Sequence, residues 1–474
     1  MKVWQSADYR LQITDDREQI ADYRLQITDY RFIEINEMKK EKIDAGLDTQ
    51  LRDVQSFSNS HVELIIGLFG FGVVGEGLYK VLKQTPSLKA SIKKVCIKNY
   101  DKRRDAPASL FTTDKNELLD DRDINVIVEV INDCEAAFEI VSIALKNGKH
   151  VVSASKRMIA EHLPDLLLLQ QETGRSFLYE SAACASIPVI RNLEEYYDND
   201  LLHSIRAIVN GSTNFILTRI FEDGLNFREA LLLAQQAGFA ETDPRLDVEG
   251  YDAVSKWSFL LTHAYGILAR PGDILFNGIQ HIKKEDAVLA ASREQEIRLV
   301  ACAQKLKDGK VAAFVLPQFV RKDDHLAFVK NEYNGVVIES SFADKQFFYG
   351  KGAGSFPTAS AVLSDIAALR YNYKYEYKKL YHHQPHEITD DLYLRVFVSF
   401  DDLSRVPRDN FEWIEEWHAD LDRKWLIGVI HFSELKKYSW WKQENTSLIL
   451  AADPIVEDIE TRKLKRKSLE LAGV

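Results

Sequence analysis

The chain has 474 residues, of which 46% are hydrophobic and 28% charged, and its formal net charge is −11. This length exceeds one ordinary hydrophobic core, so two or three domains are expected. The acidic balance disfavours nucleic acid or an anionic membrane surface as the main partner. Four cysteines without paired spacing, and no apolar run of the ~18 residues that a membrane span requires, favour a cytoplasmic protein without disulfides.

The first sixty residues are set apart by a short repeat. ADYRLQITD occurs at residues 7–15 and again at 21–29, with strand-like alternation. Two such units are too few to stack into a solenoid. We interpret residues 1–60 as an N-terminal extension, expected to be disordered. Because Met38 would serve as an ordinary start, our hypothesis is that residues 1–37 are an upstream extension.

Residues 61–200 alternate between apolar strands and helices. The segment VELIIGLFGFGVVGEGLYKVLK is typical of a buried strand, a glycine turn and a helix, and KKVCIKN, INVIVEVI and GKHVVSAS are typical of further strands. CEAAFEIVSIALKNG is typical of a helix that ends at Gly148. This order predicts an α/β fold with a Rossmann-type doubly wound parallel sheet, in a dinucleotide-binding domain.

The GFGVVG turn directly follows the first strand and opens a helix, which is the context that a pyrophosphate-binding turn requires. The alternative is a purely structural glycine turn. The candidate cofactor-binding residues are Gly70, Phe71, Gly72, Val73, Val74 and Gly75. After the second strand, Lys98 and the basic run 102–104 favour NADP over NAD, unless they are ordinary loop charges.

Two further domains are predicted beyond residue 200. Residues 201–344 contain strand and helix patterns of a second α/β domain that serves substrate binding and dimerisation. In residues 385–474, LYLRVFVSF and KWLIGVIHF are typical of strands and WIEEWHADL of a helix, which predicts a small α+β module. The charged end, TRKLKRKSLELAGV, is interpreted as a solvated helix.

An acidic loop, GFAETDPRLDVEGYDAVSK, spans residues 238–256 and leads into a helix. Asp252 and Lys256 are four residues apart and share a helical face, so a surface ion pair is one interpretation. The other is catalytic, because a desolvated lysine held by a carboxylate can carry a hydroxyl proton while hydride leaves to a nicotinamide. Lys156 follows a strand at the carboxyl end of the sheet, and is either a second proton carrier or an exposed loop lysine.

These segments resemble the homoserine dehydrogenase family over about residues 62–370. The resemblance is carried by GFGVVG, GKHVVSASK, NGSTNFILT, AETDPRLDVEGYDAVSK and YGKGAGSFPTASAVLSD, in that order. It implies the reversible NAD(P)-dependent interconversion of L-homoserine and L-aspartate 4-semialdehyde, an intermediate step of threonine and methionine biosynthesis. The alternatives are a non-catalytic nucleotide or amino-acid sensor, and an oxidoreductase for a related amino-acid aldehyde, because Phe239 lies beside Glu241.

The resemblance also implies a role for individual residues. Lys156 and Lys256 would serve proton transfer, with Asp252 orienting Lys256. The substrate would be bound by Glu241, Asp247, Gly211 and Ser212, and the nicotinamide side of the cofactor by Lys156, Gly352, Ala353 and Gly354. Residues of about 345–375 would complete the dinucleotide-binding domain, the C-terminal module would be ACT-like, and the chain would form a homodimer or homotetramer.

A monovalent cation, Na⁺, is the last implied ligand, held by backbone carbonyls of Glu180, Ala183 and Ala185. Here the chain departs from the family, because ESAACASIP stands where EASVGGGIP is frequent. The added β-carbons could forbid a backbone turn that glycine permits. Asn132 and Asp133 also replace a frequent glycine pair, and the first strand of the C-terminal module lacks the usual glycine-bearing turn.

Overall fold

The computed structural model describes residues 63–100, 102–199, 201–382, 385–420, 423–456 and 459. The predicted N-terminal extension with its repeat and the predicted charged helix after residue 460 lie outside these described residues. Within them, no helix combines the length and the apolar character that crossing a bilayer demands.

The first sheet has six parallel strands in the order β3-β2-β1-β4-β5-β6. They are β1 Leu64–Phe69, β2 Ala90–Cys96, β3 Phe111–Thr112, β4 Val126–Glu129, β5 His150–Ser153 and β6 Phe177–Leu178. The intervening helices are α1 Val73–Gln84, α2 Asn116–Leu119, α3 Cys134–Lys146 and α4 Lys156–Thr173. The predicted doubly wound sheet is confirmed, and its order reverses between β1 and β4, where such sheets bind ligands.

Local sequence signals explain where these helices begin and end. The Asp133 carboxylate accepts a hydrogen bond from the Ala136 amide and caps α3. Gly148 follows that helix with φ +74°, the left-handed conformation that stops a helix at low cost for glycine. The helix predicted from this segment is therefore confirmed.

The second sheet is mainly antiparallel and contains β7 Leu202–Ile208, β8 Leu275–Phe276, β9 Gln295–Lys305, β10 Val311–Arg321, β11 Tyr333–Ser340 and β12 Asp344–Lys351. Two short helices precede β7, α5 Glu180–Cys184 and α6 Val189–Arg191. The helices that follow β7 are α7 Gly211–Glu222, α8 Phe227–Gln236, α9 Arg245–Val248, α10 Tyr251–Tyr265, α11 Lys284–Ser292 and α12 Ser355–Leu369. Helix α10 is buried along almost its whole length, so it forms the centre of this part of the core.

The last of these helices, α12, packs against α1 of the first sheet. A β-carbon on Gly77 of α1 would lie 2.5 Å from the Ser355 hydroxyl oxygen, so only glycine permits this approach. Residues 344–351, in contrast, pair with β11 in the second sheet. The segment 345–375 therefore provides a strand of the second sheet and a helix that packs against α1.

The C-terminal module consists of β13 Tyr393–Ser399, β14 Phe411–Ala419, β15 Lys424–His431, α13 Phe432–Lys437 and β16 Ser447–Val456. It extends the second sheet, because β16 pairs with β10 at Leu450 and Gln318. The remaining short helices are the 3-10 turns Pro86–Leu88, Ala108–Leu110, Pro271–Asp273, His325–Phe328, Lys378–Tyr381, Leu403–Arg405, Arg408–Asn410 and Trp440–Lys442, and the π-helix Asn192–Tyr196.

The helix predicted for WIEEWHADL is wrong, because residues 413–419 of this segment lie in β14, antiparallel to β15. The pairing shifts register between Phe411 and Trp413 and again between Ile414 and Glu416. Such bulges break the period-two alternation by which a strand is identified in a sequence. The aromatic residues Trp413 and Trp417 favour the strand that forms.

Candidate active site

The glycine turn between β1 and α1 has the geometry of a phosphate-binding turn. Gly70 has φ +94°, and a β-carbon there would lie 2.9 Å from the Val130 carbonyl oxygen. At Gly75 a β-carbon would lie 2.3 Å from the Gly70 carbonyl oxygen, whereas at Gly72 it would meet no atom within 4 Å. The outer two glycines are therefore required by packing, and the middle one leaves open space before the N-terminus of α1, where free amides attract anions.

The other residues of this turn differ in how far their side chains are exposed. The Phe71 side chain is buried and packs edge-on against Tyr79 and Phe111, so its backbone alone is available to a cofactor. Val73 is 67% exposed and Val74 is half-buried.

Lys98 lies two residues beyond β2 and is exposed. The Arg104 guanidinium is instead bound within its own loop, because it donates to the carbonyls of Asn99 and Lys102 and lies over the Phe111 ring. Lys98 is thus better placed than Arg104 to meet a 2′-phosphate.

Two lysines and one carboxylate form the centre of the site. The Nζ atoms of Lys156, the first residue of α4, and Lys256, in the middle of α10, lie 2.6 Å and 2.8 Å from separate oxygens of Asp252. Lys256 also donates to the Val209 carbonyl at 2.6 Å, and its side chain is only 6% exposed, whereas that of Lys156 is 42% exposed. Lys156 is therefore the lysine that a ligand can reach.

The charges of this centre fix its protonation. Burial alone would raise the pKa of Asp252, but the ammonium groups of Lys156 and Lys256 outweigh burial and hold the pKa well below its usual range. The Asp252 charge in turn raises the pKa of Lys156 against the effect of burial, and Asp247 and Glu241 add to this shift. Near neutral pH, Lys156 therefore carries a proton that it can donate.

Asn210 connects the acids of the site, and sequence reasoning missed it. Its amide nitrogen donates to Asp247 at 2.7 Å and to Asp252 at 2.8 Å, while its amide oxygen caps α7 by accepting from Thr213. Burial, followed by the charge of Asp252, raises the pKa of Asp247. The signal for Asn210 was its place as the N-cap of NGSTNFILT, which identifies a cap but not its free amide.

The predicted substrate residues surround this group. The Ser212 hydroxyl donates to the Phe239 carbonyl at 2.5 Å, so it joins α7 to the acidic loop. Gly211 permits close packing, since a β-carbon there would lie 2.5 Å from the Glu332 carbonyl oxygen. Glu241 is exposed on the same loop. Asp243, also exposed there, is instead ion-paired with Arg245 at 2.6 Å.

The KGAG segment lies beside the phosphate turn. Gly354 has φ +117° and precedes α12, and the hydroxyl of Ser355, the first residue of α12, donates to the Val73 carbonyl at 2.8 Å. At Gly352 a β-carbon would lie 2.1 Å from the Asn334 side chain, so glycine is required there. Gly352 and Gly354 therefore lie at the end of β12 that meets α1.

The segment predicted to bind a cation forms α5 and a tight turn. Ala185 follows α5 with φ +44° and ψ −102°, a conformation that is strained for a residue with a β-carbon. The turn is thus formed despite the missing glycine. The Glu180 carboxylate accepts from the amides of Ile190 and Arg191, and burial followed by the Asp365 charge raises its pKa to about 8.

A second buried network anchors α10 two turns beyond Lys256, and no motif in the sequence indicates it. His263 lies 2.6 Å from a Glu194 oxygen through Nδ1 and 2.8 Å from the Tyr179 hydroxyl through Nε2. Tyr179 also hydrogen-bonds to Tyr377 at 3.0 Å. The network ties the lysine-bearing helix to the segment after β6, which fixes Lys256 relative to the first sheet.

A glycine turn at the reversal of a parallel sheet, and a protonated lysine on a buried carboxylate at the same sheet edge, are the arrangement of a nicotinamide-dependent oxidoreductase. Family models described as "Homoserine dehydrogenase, NAD binding domain" and "Homoserine dehydrogenase" match residues 70–180 and 188–367. A homoserine dehydrogenase of Bacillus subtilis is 35% identical over 317 residues, which are 65% of this chain and 73% of the relative. The chain belongs to the homoserine dehydrogenase family.

Solved structures agree with this assignment. A homoserine dehydrogenase from Thiobacillus denitrificans has a TM-score of 0.72 at 26% identity and covers 82% of this chain and 98% of its own. A hyperthermophilic archaeal homoserine dehydrogenase in complex with NADPH has a TM-score of 0.57 at 28% identity, over 66% of this chain and 99% of its own.

Proposed function

We propose that this chain interconverts L-aspartate 4-semialdehyde and L-homoserine with NADP or NAD. The observation that carries the proposal is the pairing of Lys156 and Lys256 with Asp252 at the sheet edge that bears the glycine turn. The sensor alternative gains no support from this geometry, because binding alone does not require a buried carboxylate that keeps a reachable lysine protonated.

Lys156 supplies the proton of the reduction. When bound, the nicotinamide supplies hydride to the aldehyde carbon, and in the reverse direction accepts it. Negative charge then develops on the aldehyde oxygen, and the Lys156 ammonium donates a proton to that oxygen. In the oxidation of homoserine, neutral Lys156 takes the hydroxyl proton. Its 42% exposure lets a substrate reach it, and its raised pKa keeps it protonated, as the reduction requires.

Lys256 and Asp252 position the donor. Inside the core, Lys256 donates one hydrogen bond to Asp252 and one to the Val209 carbonyl, so it holds the Asp252 carboxylate in one orientation. Asn210 adds a hydrogen bond to the same Asp252 oxygen. In this proposal Lys256 acts on the proton transfer through Asp252.

Glu241 and Asp247 bind the substrate ammonium group. Two lysines face three acids here, since Asp252 also belongs to the group, so the site has a net charge of −1 when all are ionised. The pKa of Asp247 is raised by burial and then by the charge of Asp252, and a substrate ammonium group beside Asp247 would oppose both effects. Ser212 and Gly211 line the same side, next to the acidic loop.

The cofactor is held by backbone groups more than by side chains. The backbone of residues 70–75 binds the pyrophosphate, and Gly352 and Gly354 with Lys156 flank the nicotinamide. Exposed Lys98 supports a preference for NADP, which the NADPH complex of the archaeal relative also supports.

Na⁺ would be held by the carbonyls of Glu180, Ala183 and Ala185. The chemistry of this segment fits a cation, because burial and the neighbouring Asp365 disfavour the charged form of Glu180, and a cation beside it would favour that form. Bound there, the ion would fix the turn between α5 and α6.

A homodimer or homotetramer is supported by exposed aromatic residues beside the second sheet. Phe342 is 87% exposed in the turn before the edge strand β12, and Phe328 is 65% exposed in the 3-10 turn that packs against β11. An ACT-like role for residues 385–474 remains part of the proposal, although β14 stands where a helix was predicted.

Initial rates with L-aspartate 4-semialdehyde, measured separately with NADPH and NADH, test the proposed function. We expect turnover with both and a lower KM for NADPH. Cofactor binding without turnover would favour the sensor. Faster turnover with L-glutamate 5-semialdehyde would favour the related-aldehyde alternative.

A further inference from the structure

A cluster of potential metal ligands lies on two neighbouring helices of the dinucleotide-binding part, outside the lysine–carboxylate centre. Cys134 and Glu135 begin α3, and His162 lies in the second turn of α4. The sulfur, a carboxylate oxygen and a ring nitrogen all lie within 4.8 Å of one another. The proposed reaction uses none of these three residues.

The distances suit a tetrahedral ion. His162 Nε2 and Glu135 Oε1 are 3.4 Å apart. Two such ligands, each about 2.0–2.1 Å from zinc at a tetrahedral angle, would be roughly 3.3 Å apart, and a thiolate would lie roughly 3.6 Å from the nitrogen. The Glu135 side chain is 80% exposed and free to adjust, so closing the set requires only side-chain rotation.

The histidine ring is already oriented for binding. It stacks on Phe138 of α3 with 3.9 Å between ring centroids and 10° between planes. This stack holds the Nε2 edge towards Glu135. A metal would therefore find one of its ligands preorganised, which reduces the entropy lost on binding.

Local charge also favours a cation. The charged groups that act on Cys134 are the carboxylates of Glu135, Glu161 and Asp133 and the guanidinium of Arg157. Three carboxylates against one guanidinium leave an excess of negative charge, and a bound divalent ion would convert the thiol to thiolate. A sulfur, an imidazole and a carboxylate together select zinc-like ions over magnesium or calcium.

We propose that Cys134, Glu135 and His162 bind one divalent ion of the zinc class, with water as fourth ligand. The ion would link the start of α3 to α4, the helix that begins at Lys156. The loop before α3 packs on the phosphate turn, since a β-carbon on Gly70 would meet atoms of Val130 and Ile131. A metal bound at this site would therefore be connected, through the loop before α3, to the proposed phosphate-binding turn.

Titration of the reduced, metal-free full chain with Co²⁺ tests the proposal, because cobalt bound to a thiolate has a near-ultraviolet charge-transfer band. We expect one equivalent to bind with this band. Cys134→Ser should abolish the band, and His162→Gln should weaken binding at least about tenfold. Cys96→Ser is the matched control, a partly buried cysteine of the same sheet region, and should bind as the unmodified chain does.

Glu135→Gln separates binding from folding, because so exposed a side chain contributes little to stability. It should weaken cobalt binding while the thermal midpoint without metal stays unchanged. Absence of stoichiometric binding, a band that persists in Cys134→Ser, or equal affinities in His162→Gln and the unmodified chain would each overturn the proposal.

Discussion

Asp252→Asn removes the charge that holds both lysines while keeping the size of the side chain. The Asp252 and Lys256 side chains are 8% and 6% exposed, so their ion pair is buried, whereas Lys156 is partly screened by solvent. Loss of one partner of a buried pair costs about 3–5 kcal/mol. Because asparagine still accepts one hydrogen bond, we expect the free energy of unfolding near neutral pH to fall by about 3 kcal/mol.

The same substitution should reduce kcat for aldehyde reduction by about 10²- to 10³-fold, the magnitude of a disrupted general-acid step. Without the Asp252 charge the pKa of Lys156 falls, so the decline of activity at high pH should begin at lower pH than in the unmodified chain. Urea unfolding and a pH–rate profile measure the two effects.

The pH dependence of stability has a definite sign. The folded pKa of Asp252 is depressed, so its contribution is complete above the unfolded pKa of about 3.9 and is lost only in strong acid. The folded pKa of Lys156 is raised, so its contribution is complete below about 10.4 and is lost as the pH rises through the folded value. The control is Asp243→Asn, an exposed acid of the same loop; if it behaved like Asp252→Asn, the reasoning would be refuted.

Three further outcomes are expected. Gly72→Ala should raise the KM for NADPH at least about tenfold with an unchanged thermal midpoint, because its β-carbon meets only open space, whereas Gly75→Ala should lose stability as well. Ala185→Gly should raise the free energy of unfolding by up to about 1 kcal/mol in urea titrations, since it relieves φ +44° at some cost in chain entropy; a destabilised variant would contradict this. His263→Phe should lower stability by about 3 kcal/mol at pH 7. Because His263 helps to hold the pKa of Glu194 low against burial, that difference should shrink below about pH 4, and a constant difference would count against the pairing.

The parallel sheet and its turn were predictable from the sequence because their signals are local. Gly70 and Gly75 are required within one turn, and Gly148 ends a helix by its own conformation. The β14 strand was not predictable, because its bulges depend on pairing with β15, a partner that the periodicity of one segment does not contain.

In the candidate site, too, local features were predictable from the sequence and features that depend on tertiary contacts were not. Spacing placed Asp252 and Lys256 on one helical face, and strand order placed Lys156 at the sheet edge. The amide of Asn210 and the carbonyl of Val209 enter the site only through the tertiary approach of β7 to α10, more than 40 residues away in the chain. Which lysine is open to a ligand also depends on burial, which no spacing rule encodes.

The central claim is that Lys156 donates the proton under the control of buried Lys256 and Asp252. Single-turnover oxidation of NADPH by L-aspartate 4-semialdehyde, compared in Lys156→Ala, Lys256→Ala and the unmodified chain, tests it most directly. We predict that Lys256→Ala binds NADPH normally, and that at saturating NADPH both variants lose at least about 10²-fold in the rate of NADPH oxidation. Only Lys256→Ala should also lose substantial stability. A rate near that of the unmodified chain in Lys156→Ala would contradict the account.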